Sequence, residues 1–104
     1  MDRKKLNKIK KELLQARRGS RKAADLQSLA RQLGRQGAGK RGKEPMWESK
    51  EFPSLFVLSI PKHGGRDIPL GTKNSILDQL EDDVLEWENR LDELENDEGE
   101  EELE

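Results

Sequence analysis

From residue 77 onward, apolar side chains recur as Leu77, Leu80, Val84, Trp87, Leu91 and Leu94, at steps of three, four, three, four and three. That spacing puts them along one side of an α-helix, in the pattern of a helix that pairs with another helix. Thr72, just after Pro69 and Gly71, is the predicted N-cap. A chain carrying this seam has to supply an apolar partner of the same period, because the seam is unstable facing water.

The amino-terminal stretch offers one. Asp2 caps a predicted helix through about residue 18, with Leu6, Ile9, Leu13 and Ala16 on one face and lysines on the others. Charge points the same way. Residues 1–43 hold 15 Lys or Arg against three acids, residues 75–104 hold 15 acids against Arg90 alone, and the middle is balanced. Antiparallel docking of Leu6, Ile9 and Leu13 onto the seam would bury both stripes and pair the opposite charges. The same asymmetry also fits a basic surface for a polyanion, with the acidic helix repelling nucleic acid or shielding that surface. A free basic helix in a DNA groove is a weaker alternative, because its leucines need burial.

Gly19 ends the first helix. A second helix is predicted over residues 20–33, where Ala23, Leu26, Leu29, Ala30 and Leu33 form a stripe. The glycines of RQGAGKRGKEP predict a flexible basic loop. Strand character follows at residues 46–49 and in the apolar run LFVLSI at 55–60. Two strands alone are marginal, so a third is needed, near residues 36–40 or around Ile68. Pro61, Gly64, Gly65 and Pro69 then turn the last strand into the acidic helix. The ending NDEGEEELE is low in complexity and is predicted to be disordered.

With 104 residues, 31% apolar and 40% charged, the chain supports one modest core. No cysteine is present, which excludes a disulfide framework or thiolate metal site, and no cofactor is expected. No apolar run reaches the length of a spanning helix or follows the basic start as a signal peptide requires. A soluble cytoplasmic protein is expected.

The segment SIPKHGGRDIPLGTKNSILDQL resembles the closing strand, turn and helix start of the HicA-type toxins of bacterial toxin-antitoxin modules. The resemblance rests on Pro61, His63 and Gly64, then Pro69, Gly71, Thr72, Ser75, Ile76 and Leu77, with DLQSLARQLG similar to the family's first helix. It covers residues 24–80. It implies an α+β fold like double-stranded-RNA-binding domains, with a three-stranded antiparallel sheet, helices packed on one face, and an mRNA-cleaving activity checked by an antitoxin protein. On this reading residues 1–19 are an added basic helix, 20–80 the HicA-like domain, 81–95 an acidic helix extension and 96–104 a disordered acidic tail.

A module that reads RNA shape needs cations for phosphates and loops that reach the minor groove. Arg35, Lys40, Arg41 and Lys43 on the basic loop, with Lys62 and Arg66 on the turn, are the candidate RNA-binding residues. Where the family carries a catalytic histidine this chain has Glu44. Glu44, as a base, and His63, the only imidazole, are therefore the candidate catalytic residues, and altered or weak ribonuclease activity competes with a non-catalytic RNA-binding or protein-interaction module. Lys43 could steady charge on a phosphate. The competing readings are that Glu44 shapes the strand entry before Pro45 and that His63 is a structural or solvated loop residue. His63 cannot make a metal site unaided. Trp47 is read as a core or sheet residue in preference to a base-stacking one.

Overall fold

The computed structural model describes residues 1–41, 44–62 and 64–103, the side chains of 40, 41 and 96–103 excepted. Its elements are α1 (Arg3–Ala16), α2 (Ala23–Gln32), β1 (Arg35–Arg41), β2 (Glu44–Ser49), β3 (Leu58–Ser59) and α3 (Leu70–Leu103). The chain is an α+β protein in which three helices accompany one antiparallel sheet of strand order β1-β2-β3. None of these helices is long and apolar enough to cross a membrane.

α1 begins where its cap was expected: the Asp2 side chain accepts from the Lys5 amide at 2.7 Å. Leu6, Ile9, Leu13 and Ala16 are all buried. The helix lies antiparallel on α3. Arg3 pairs with Asp92 and Glu95 near one end, Lys10 with Glu88 in the middle, and Arg17 with Asp78 and Glu81 at the other. Leu77, Leu80, Val84 and Trp87 are buried along the seam and Leu91 packs at its edge. Leu94, the last apolar position of the seam, is exposed.

α3 starts two residues before the expected cap, with the Lys73 amide donating to the Pro69 carbonyl at 2.9 Å. It also continues past residue 95, where disorder was expected. α2, by contrast, starts later than expected. Residues 20–22 stay extended, and the Asp25 carboxylate accepts from the Lys22 amide at 2.9 Å, which fixes the first turn.

The glycine-rich stretch, read as a flexible loop but also as one of two places for the third strand, is β1. It pairs with β2 from Arg35↔Ser49 to Arg41↔Glu44, with a bulge between Gly37 and Lys40. Gly39 adopts φ +85° within that bulge, a conformation costly to any residue with a side chain. β3 is shorter than the apolar run suggested, pairing only at Met46↔Ser59 and Trp47↔Leu58. Residues 55–57 leave the ladder because the Phe56 carbonyl accepts instead from Arg35 Nη1 at 3.0 Å.

The core gathers the helix stripes with Trp47, Phe52, Leu58, Ile60 and Ile68. Trp87 joins three elements: its Nε1 donates to the Leu33 carbonyl closing α2 at 2.8 Å, and its ring meets Phe52 edge-on at 4.8 Å. Arg90 covers this pair, 4.3 Å from the Phe52 ring centre, while its guanidinium pairs with Glu51.

Candidate nucleic-acid interface

Antiparallel pairing decides which loops are neighbours. β1 ends at Arg41, opposite Glu44 at the start of β2, and β3 runs back towards the same end, where the Ile60 amide donates to the Pro45 carbonyl at 3.3 Å. The hairpin between β1 and β2 and the loop leaving β3 therefore open at one end of the sheet. Lys40 and Arg41 stand on the last rungs of β1, and Lys62 and Arg66 are exposed on the loop. Lys43 and His63 lie outside the described residues.

The loop is anchored on its far side. Ile68 is buried and its amide donates to the Arg21 carbonyl at 2.8 Å, while Lys22 and Asp67 form an isolated bridge. Gly64 and Gly65 both take positive φ, which lets the chain double back before this anchor. The same contacts bring the α1–α2 turn to the cationic end, adding the exposed Arg18 and Lys22. Sequence reasoning missed these two, because only the long-range bridge to Asp67 places them there.

Lys73 holds that turn in position. Buried in the first turn of α3, it donates from Nζ to the carbonyls of Arg17 at 3.0 Å and Gly19 at 2.6 Å, capping the end of α1 with a cation. Burial pushes its ammonium down from the ordinary lysine value, and Arg21 and Arg17 push the same way.

Arg35 is not a surface cation, which removes it from the phosphate-facing set. Its side chain is 1% exposed, as is that of Asp83, with which it forms a two-point pair. Its Nη1 also donates to the carbonyls of Trp47 and Phe56, both at 3.0 Å. Burial pushes the Asp83 carboxyl up from its usual range, and the Arg35 hydrogen bonds pull against that. Trp47 is buried as well, with the Arg31 guanidinium 4.9 Å from its ring centre, so its faces do not form an open stacking platform.

Glu44 is exposed, and its Oε2 accepts from the Ser59 hydroxyl at 2.7 Å, its one hydrogen bond to a side chain among the described residues. No group of three or more candidate metal-binding side chains occurs among those residues. No family model, no curated protein and no solved structure matches this chain.

Proposed function

We propose that this protein is an RNA-binding module that grips the phosphates of double-stranded RNA with the cationic end of its sheet. The observation that carries the proposal is the convergence of Lys40 and Arg41 with Lys62 and Arg66, joined by Arg18 and Lys22 from the α1–α2 turn. Cations from three separate segments on one end match the spread of phosphates across a groove better than a single basic helix does. The order α2, β1, β2, β3, α3 supports a double-stranded-RNA-binding-like arrangement, with α1 as an addition. Burial of Trp47 argues against single-strand recognition by stacking.

Binding without cleavage is the reading favoured here. Glu44 is tied to a serine hydroxyl at the strand entry, as expected of a residue that shapes the hairpin. A base for 2′-hydroxyl attack also needs an acid for the leaving oxygen.

The test is fluorescence anisotropy of the full chain with a labelled RNA duplex of about 16 base pairs, a length that spans successive minor grooves. Affinity should fall steeply as salt rises, and Lys62→Glu with Arg66→Glu should weaken binding while lowering the salt slope by about one per lost phosphate contact. Absence of binding at about 50 mM salt would overturn the proposal.

A further inference from the structure

Three apolar side chains of α1, α3 and the β2–β3 loop stand in water in a row. Leu14 on α1 is 65% exposed, Leu85 on α3 57% and Phe56 in the β2–β3 loop 87%. Two shallow grooves connect them. Leu13, Leu14, Val84 and Leu85 line one groove, of about 270 Å³. Leu55, Phe56 and Leu85 line the other, of about 230 Å³. Leu85 belongs to both, so the strip runs unbroken across α1, α3 and the loop.

The strip is also built on rigid supports. The carbonyl of Phe56 is held by Arg35, whose guanidinium is itself fixed by buried Asp83, so this aromatic ring is presented from an anchored backbone. Pre-set apolar side chains around shallow grooves are the form of a helix-receiving surface, since binding then requires little further ordering of the loop.

Charge identifies the occupant. The rim carries Glu81, Asp82, Glu86 and Glu88 against Lys10 alone on the first groove, and buried Arg35 is already neutralised by Asp83. Glu81 and Glu88 pair with Arg17 and Lys10, whereas Asp82 and Glu86 make no ion pair among the described residues. A symmetric pairing of two copies through this face would set acid against acid.

We infer that the Leu14–Leu85–Phe56 strip docks a basic amphipathic helix of a partner protein, whose apolar face fills the two grooves while its lysines or arginines meet Asp82 and Glu86. This surface is distinct from the RNA-facing end and does not depend on it.

The probe is a labelled peptide of about 18 residues with leucines at helical i, i+3, i+4 and i+7 positions and lysines on the other faces, titrated against the full chain. A control peptide keeps the leucines and replaces lysine with glutamate. The lysine peptide should bind, the glutamate peptide should not, and Leu85→Ser or Phe56→Ser should each weaken binding by about tenfold. Both changes lie at exposed positions and should leave circular dichroism and the thermal midpoint unchanged. Binding by both variants as tight as by the unchanged protein would reduce the attraction to acidity alone and overturn the inference, as would no binding of the lysine peptide. Concentration-dependent dimerisation abolished by Leu85→Ser, seen by sedimentation, would overturn it in favour of a second copy.

Discussion

Arg35 and Asp83, separated by 48 residues, meet inside the protein as a two-point ion pair, Nε to Oδ2 at 2.7 Å and Nη2 to Oδ1 at 2.8 Å. With the carbonyls of Trp47 and Phe56 on its remaining nitrogen, this guanidinium ties β1, β2, the β2–β3 loop and α3 together. A buried charge left without its partner is far more costly than the pair is stabilising. Arg35→Met should therefore lose about 3–5 kcal/mol in urea unfolding, and adding Asp83→Leu should recover most of it. A loss below about 1 kcal/mol would put the pair on a par with a surface bridge.

Lys73 gives a pH dependence of definite sign. Its folded value is pushed below the ordinary 10.5, so between the two the unfolded chain binds the extra proton. Stability must then rise with pH across that window, reaching its full extent above the ordinary value. Urea midpoints should climb as pH rises towards 10.5, and Lys73→Met should remove the climb while lowering the baseline through the lost bonds to Arg17 and Gly19.

The α1–α3 interface joins a buried stripe to exposed ion pairs, and the two can be separated. Ile9, with no exposed surface, should cost about 2–5 kcal/mol when changed to alanine. Salt at about 0.5 M should leave amide protection over α1 in place, because exposed pairs contribute little and apolar burial is not screened. Rapid exchange of α1 amides in high salt would show that charge, not burial, holds the helix.

The acidic terminus lies far from the cationic end along the axis of α3. α3 starts beside the sheet end and runs away from it, and residue 96 lies about 39 Å along the axis from Leu70 at 1.5 Å per residue. Screening at physiological salt acts within about 8 Å. Ending the chain after Glu95 should thus change duplex RNA affinity by less than about twofold at that salt.

How much was legible in the sequence follows from the range of each signal. Helix periodicity is local and driven by water, so the stripe of α1, the seam of α3 through Leu91 and the Asp2 cap could be read residue by residue. Their opposite charges also indicated which helix meets which. β1 was marked only as one of two places for a third strand, because its glycines carry no apolar alternation and only pairing with β2 makes a bulged strand of them. Residues 55–57 looked like strand but were diverted by Arg35, a partner 21 positions from Phe56.

Sequence by itself therefore determined the two long helices and their antiparallel embrace, since apolar spacing and charge suffice to specify both. Tertiary structure alone decided which cations face water: Arg35 and Lys73 turn inward to acceptors far along the chain, while Arg18 and Lys22 are carried to the sheet end by the Asp67 bridge. A side chain's charge is local, but whether it is spent on an internal partner depends on contacts between segments that no short-range pattern encodes.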